Sequence, residues 1–371
     1  MKNVMKYMLV ALTTLSFSVA QAGDLSITGD AKASYAITSS DSGTGALQQG
    51  KGLGVANEFT LSASGELDNG MTWSYAQDIE GATVQDDAKL TLTGGFGTVG
   101  VFIHEGGLDT DNTASQSVVS RPSDTSYNEG MVDTWDISGM NTLQYHTPAG
   151  LIPFGITAKI AHAPSLTAGV NNSFKVTGAA NAVSHTSPGT GASFWNTAAA
   201  PLTQTIANMG DSATHYQVTI AEIPFIDGLT VGADYLDISG QVDVSAQEAE
   251  SGSYYATYSI GPVSLGYSKS FLATGMDTHA TNNYLESLEA TKMSASVNVN
   301  DELSISYENE KSEPTLKTSS TTVYDLESTG LQAAYTMGGM TLAIAMNDHE
   351  NVQYSNGKDV KDTVFTVAMA F

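Results

Sequence analysis

The chain contains no cysteine, so no disulfide can staple it and no thiolate can hold a metal. Stability has to come from hydrogen-bonded secondary structure and burial, or from bound ions. Basic residues are also scarce: 14 Lys+Arg stand against 39 Asp+Glu, and Arg121 is the only arginine. Nucleic acid is excluded as a partner, because phosphate binding runs on Lys and Arg. Such acidity promotes solubility and attracts cations without dictating a fold. Long apolar runs are missing as well. The stretch from Tyr7 to Val19 is too short to cross about 30 Å of hydrocarbon as a helix, and nothing after it comes nearer. The seven histidines, His104, His146, His162, His185, His215, His279 and His349, are scattered with no H-E-x-x-H spacing, and no glycine-rich phosphate loop is present. A hydrolase would need a Ser–His or Asp–His pair brought together at a rim. With dozens of Ser and Asp such coincidences are inevitable, so the reading is that the chain is not an enzyme and requires no cofactor.

Lys2 and Lys6 precede the short apolar stretch, and Ala20-Gln21-Ala22 follows it in the small-x-small pattern of a signal-peptidase site. Residues 1–22 therefore read as a signal peptide and 23–371 as the exported domain. That domain of 349 residues retains 12 Lys+Arg and all 39 Asp+Glu, a formal charge of −27. An exported chain without a spanning helix can enter a membrane only as strands closed into a barrel, since open edges cannot be satisfied in lipid.

Period-two alternation is abundant. Phe365, Val367, Met369 and Phe371 share one face of the last segment, with Val364, Thr366, Ala368 and Ala370 on the other. The same holds for Phe59/Leu61/Ala63 against Thr60/Ser62/Ser64, and for Leu303/Ile305/Tyr307 against Ser304/Ser306/Glu308. The polar set would be wasted in a sandwich core and belongs in a wet lumen. Short connections at Asp68-Asn69-Gly70, Gly95-Phe96-Gly97, Pro148-Ala149-Gly150, 224–228, Gly261-Pro262, Asn300-Asp301 and 337–340 alternate with long ones. Seven tight turns join fourteen strands in pairs, and one further strand at each end gives sixteen. The predicted strands are 25–38, 54–67, 71–79, 87–94, 98–103, 141–147, 151–162, 214–223, 229–238, 247–260, 263–272, 284–299, 302–310, 321–336, 341–348 and 362–371. Both ends then lie on the short-turn side. The fold class is all-β, a sixteen-stranded antiparallel transmembrane barrel. Sixteen tyrosines against three tryptophans, many near strand ends, fit an aromatic girdle or simple β-propensity.

The stretches GDAKASYAI (29–37), FTLSASGELDNGMTWSYAQDIEG (59–81) and LTLTGGFGTVGVF (90–102), with the terminal aromatic, resemble the Gram-negative general porin family. The resemblance implies a homotrimer in the outer membrane, in contact with its lipid and lipopolysaccharide. It also implies that Phe371 forms part of the signal read by the barrel-insertion machinery, and that the third outer loop folds inward to narrow a diffusion pore. Residues 104–140 occupy that loop position and carry Glu105, Asp109, Asp111, Asp124, Glu129, Asp133 and Asp136, a carboxylate-rich edge. The family sets such an edge against a basic wall, and here the pattern departs: Arg121 sits within the loop itself, leaving Lys32, Lys89 and Lys159 as the wall candidates. With so few cations facing so many carboxylates, the expectation is a cation-preferring channel for ions and small hydrophilic solutes. The bland alternative is that the loop charges only solvate an exposed segment.

Asp109-Thr110-Asp111-Asn112 offers oxygen ligands of the kind Ca2+ takes, although the full D-x-[DN]-x-[DN]-G-x5-E pattern is missing. Glu350, Asp359 and Asp362 are a weaker version. The outer connection 163–213 is nearly uncharged and reads as a surface loop, a receptor face or a lid. Two other readings stay open: a sugar-specific porin, for which Phe102 and Trp135 are the only aromatic candidates, and an exported acidic adhesin or surface β-protein.

Overall fold

The computed structural model describes residues 25–40, 50–80, 87–104, 107–124, 131–135, 141–164, 212–221, 223, 225–239, 248–273, 285–316, 324–354 and 356–370. Alternating side chains make these residues strands, because each segment can present one face to each of two environments. They are β1 (Ser26–Ser40), β2 (Gly50–Glu66), β3 (Thr72–Glu80), β4 (Ala88–Gly94), β5 (Gly97–Ile103), β6 (Thr142–His146), β7 (Ile156–Ala163) and β8 (Ser212–Ile220). The second half comprises β9 (Leu229–Ser239), β10 (Glu250–Ile260), β11 (Val263–Ala273), β12 (Leu285–Asn298), β13 (Leu303–Leu316), β14 (Leu326–Met337), β15 (Met340–Glu350) and β16 (Val360–Ala370).

Each strand pairs antiparallel with the next, and β16 returns to β1, with Tyr35 opposite Phe365 and Asp30 opposite Ala370. The ring is closed, so no strand edge is left open. No helix among the described residues is long and apolar enough to cross a membrane, which says nothing of a strand barrel.

The two faces differ in chemistry. Tyr216, Tyr235, Tyr254, Leu265, Tyr267, Phe271, Met293, Tyr307, Leu331, Met346 and Phe365 are exposed large apolar side chains, while His215, Asp234, Ser253, Ser268, Ser270, Lys292, Ser306, Glu308, Glu310, Gln332 and Asn347 on the opposite faces of the same strands are buried. This inverts a soluble protein, with grease outside and polar groups enclosed. The polar face also has an apolar patch: Leu236, Leu272, Leu288 and Leu326 pack with Val132, Trp135 and Tyr354 in one buried cluster.

Each predicted strand has an observed counterpart. At six of the seven short connections the marking glycine has positive φ, among them Gly70 (78°) and Gly97 (105°). At Gly97 a Cβ would also meet the His146 carbonyl oxygen at 2.2 Å. The seventh turn uses an asparagine instead, Asn300 Oδ1 accepting the amides of Glu302 (2.9 Å) and Leu303 (2.7 Å). The strand predicted to start at 151 begins at Ile156, because Phe154 and Gly155 have positive φ and leave only an isolated bridge from Ile152 to Ile156. Strand β13 runs six residues past its expected end, where Ser312 is anchored by the Tyr354 hydroxyl (2.8 Å) and Lys311 by Glu313 and Asp325.

Candidate functional site

Among its described residues, the segment between β5 and β6 has no regular structure beyond a 3-10 turn at Pro122–Asp124, so its backbone groups need partners from elsewhere. The polar face of β8–β14 supplies them. Leu108 N–H donates to His215 Nδ1 (3.0 Å) and Thr110 N–H to Asp234 Oδ1 (2.8 Å). Further along, Gln116 N–H reaches Ser294 Oγ (3.1 Å), Val118 N–H Ser306 Oγ (2.9 Å), Val119 N–H Gln332 Oε1 (2.9 Å) and Ser123 N–H Glu310 Oε2 (2.9 Å). The second described arm, 131–135, is held in the same way: Val132 N–H by the Tyr354 hydroxyl (2.9 Å) and Trp135 N–H by Ser251 Oγ (3.1 Å). Close approach depends on Gly266, where a Cβ would meet the Ala114 carbonyl oxygen at 1.7 Å.

An ionic network joins these arms. Lys292 of β12, 3% exposed, places Nζ 2.7 Å from Asp111 Oδ2 and 2.6 Å from Asp133 Oδ2, and also donates to Asn112 Oδ1. Arg121 donates to a single oxygen of Asp124, Oδ2, through both Nε (3.0 Å) and a terminal nitrogen (2.8 Å), and its other nitrogen contacts Glu310 Oε1 (3.3 Å) and Asn112. Asp133 lies 3.8 Å from Arg121. Burial, followed by the repulsion of Asp133, pushes the Asp111 carboxyl up to about 7. Burial acts upward on Asp133 too, but attraction to Lys292 and the hydrogen bonds from Asp111 and Lys292 outweigh it, holding that carboxyl below the usual carboxylate range. For Arg121, burial disfavours the charge, and Glu310, Asp124 and Asp133 more than offset it.

Two further constellations lie on the polar face. Asp109, His215 and Asp234 offer three potential metal-ligand atoms within 4.8 Å of one another. Their hydrogen bonds assign them another task. His215 Nδ1 accepts an amide proton, so the neutral ring carries its own proton on Nε2, 3.1 Å from Asp234 Oδ2. The lone pair a metal would use is engaged, and Asp234 Oδ1 already accepts the Thr110 amide and hydroxyl (2.7 Å). Ser328 Oγ, His349 and Asp362 form a second chain, 2.9 Å from Oγ to Nδ1 and 2.9 Å from Nε2 to Oδ1. These side chains are enclosed on β14, β15 and β16, which leaves the serine hydroxyl no open approach for a substrate carbonyl.

Of the carboxylates singled out in the sequence, Asp111, Asp124 and Asp133 enter the ionic network, and Asp109 lies 3.9 Å from His215 Nε2. Glu105, Glu129, Asp136 and Phe371 lie outside the described residues, as do residues 1–22 and most of 163–213. Asp109 and Asp111, read as a Ca2+ pair, turn to different partners, one toward His215 and the other to Lys292. Lys32, Lys89 and Lys159 fall on the same face as the polar partners of β1, β4 and β7: Lys159 stands between His146 and Gln217, and Lys89 beside Phe102. The aromatic candidates for a sugar platform are both covered. Trp135 is buried in the apolar cluster with Nε1 donating to the Ala273 carbonyl (2.8 Å), and Phe102 is buried against the His146 ring at 5.8 Å. Lys292 was missed in the sequence, because the alternate row of β12, Glu289, Thr291 and Met293, is no more apolar than its own.

A single antiparallel sheet of sixteen strands closed on itself, with short turns at one rim and polar side chains enclosed, is the porin fold. Among solved structures, the chain is similar to OmpT of Vibrio cholerae lacking loop L8 (TM-score 0.60, 10% identity, 95% of this chain and 100% of that one). It is also similar to the anion-selective porin of Comamonas acidovorans (0.59, 10%, 95% and 100%) and to Salmonella typhi OmpF in complex with daunomycin (0.57, 12%, 94% and 98%). No protein-family model and no curated protein matches the sequence.

Proposed function

We propose that the chain is an outer-membrane diffusion channel, exported by its first 22 residues, assembled as a homotrimer, and passing ions and small hydrophilic solutes without catalysing a reaction. The observation that carries this reading is the closed ring with exposed apolar side chains on one face and enclosed polar ones on the other. Such a ring is at rest in lipid, where every strand bond is satisfied and the polar face stays wet. The segment after β5, fastened to the polar face of β8–β14, then lies inside the ring and narrows the passage. Lys32, Lys89 and Lys159 belong to the remaining wall.

Cation preference is part of the proposal and rests on charge. The sequence carries 39 acidic against 14 basic residues, and of the basic ones Lys292 and Arg121 are held by carboxylates. A negative field in a narrow, low-dielectric passage concentrates cations. The fold itself does not set the sign, since one similar structure is an anion-selective porin. Reconstitution in a planar bilayer under a KCl gradient tests both parts. The expected result is stepwise conductance in groups of three with a reversal potential on the potassium side; absence of channels overturns the function, and a reversal potential on the chloride side overturns the preference.

A further inference from the structure

We propose that Lys292 is a specificity-determining residue of this passage: its enclosed ammonium binds the two arms of the β5–β6 segment together and cancels charge those arms would otherwise present to ions. The inference rests on the channel reading above and adds the element that sets its charge.

An ammonium has three N–H donors, and all three are directed at the segment: Asp111 Oδ2 at 2.7 Å, Asp133 Oδ2 at 2.6 Å, and Asn112 Oδ1. Asp111 and Asn112 belong to one arm and Asp133 to the other, so a single side chain of β12 closes the segment on itself. Both carboxyl groups reach the same nitrogen, one from each arm. Without the ammonium no cationic group among the described residues lies between Asp111 and Asp133, and the tie between the arms is lost. Arg121 cannot replace it, because its nitrogens are directed at Asp124, Glu310 and Asn112, with Asp133 at 3.8 Å. Lys292 therefore acts on permeating ions in two coupled ways: it offsets the negative charge of the segment, and it fixes how far the two arms stand apart.

Three variants in the full chain, reconstituted as for the unmodified protein, test this. Lys292→Met deletes the charge and is expected to raise the K+/Cl− permeability ratio by about threefold, the order that one unit of charge beside a wet passage produces after screening by salt. Asp133→Asn keeps the ammonium and removes one of its partners, so the ratio is expected to fall below that of the unmodified channel. Lys292→Arg retains the charge and is expected to keep the ratio near the original. A purely structural lysine would lower the thermal midpoint of Lys292→Met while leaving the ratio unchanged, and that result overturns the proposal. If Lys292→Met yields no heat-modifiable folded band, the decision passes to Asp133→Asn, where a lowered ratio supports the proposal and an unchanged or raised one overturns it. Failure of the unmodified protein to conduct is a separate outcome that overturns the channel reading itself.

Discussion

At Asp111 the environment, not the residue type, sets the charge. Burial and the nearby Asp133 raise its carboxyl to about 7, whereas Asp133, closer to Lys292 and also near Arg121, is held ionised. For Asp111 the folded value lies above that of an unfolded carboxylate, so the fold prefers the neutral form. Its contribution to stability is therefore present at low pH and is lost as pH rises from about 4 through about 7. Asp133 has the opposite sign, and its contribution is present above the ordinary carboxylate range and lost as pH falls below it. On the proposed channel function, ionising Asp111 adds a negative charge to the segment, so the cation permeability ratio is expected to rise between about pH 6 and pH 8. Reversal potentials measured across that range check it. Asp111→Asn should flatten the rise; an undiminished slope in that variant would show that another group titrates. None of this was legible in the chain, where Asp109, Asp111, Asp124 and Asp133 look alike. The distinction comes from Lys292, which is 181 residues away from Asp111 and meets it only after β12 has joined the ring.

Among the elements, strands were readable and the segment that crosses them was not. Period-two alternation is local, so Tyr307 between Ser306 and Glu308 declares its own face. The β5–β6 segment has no period, and its placement depends on donors and acceptors spread from His215 to Gln332. Its length and acidity marked it, but the apolar side of its anchoring was hidden: Leu236, Leu272, Leu288 and Leu326 sit on the polar face to receive Val132 and Trp135. Gly266 was equally opaque, since a glycine inside β11 reads as a weak spot in a strand. Its role is clearance. A Cβ there would come within 2.5 Å of Ser294 Oγ and 1.7 Å of the Ala114 carbonyl oxygen, and the second distance only a backbone shift can relieve. Gly266→Ala is therefore expected to push residues 112–116 off β11, breaking the bonds of Ser294 Oγ to Gln116 N–H and to the Ala114 carbonyl. Displaced toward the axis, the segment should lower single-channel conductance, and the thermal midpoint should drop by several degrees, in line with the loss of about two hydrogen bonds. Unchanged conductance and stability together would mean that the segment does not rest on β11.

For the whole molecule the deciding property is closure. In a ring no strand is an edge, so β16, paired to both β15 and β1, should behave as an interior strand. Proline distinguishes the two cases, because it removes a ladder donor and is tolerated where the N–H would face solvent. Consecutive residues of a strand point their N–H groups at opposite neighbours, so of Val367 and Ala368 one must donate toward β15 and the other toward β1. If the sheet were open between β1 and β16, one of Val367→Pro and Ala368→Pro would be nearly harmless. With the ring closed, each should lose a ladder hydrogen bond and leave its carbonyl partner unsatisfied, a cost of about 1–3 kcal/mol comparable to that of Ala333→Pro in the middle of β14. Urea unfolding of the three variants in lipid vesicles, followed by the shift between heated and unheated gel bands, measures the difference. Equal losses for all three would also account for stability in a chain with no disulfide, because a closed ladder leaves no strand free to fray alone. A tolerated proline at either position in β16 would place a gap in the wall, and with it the sealed passage on which the transport reading depends.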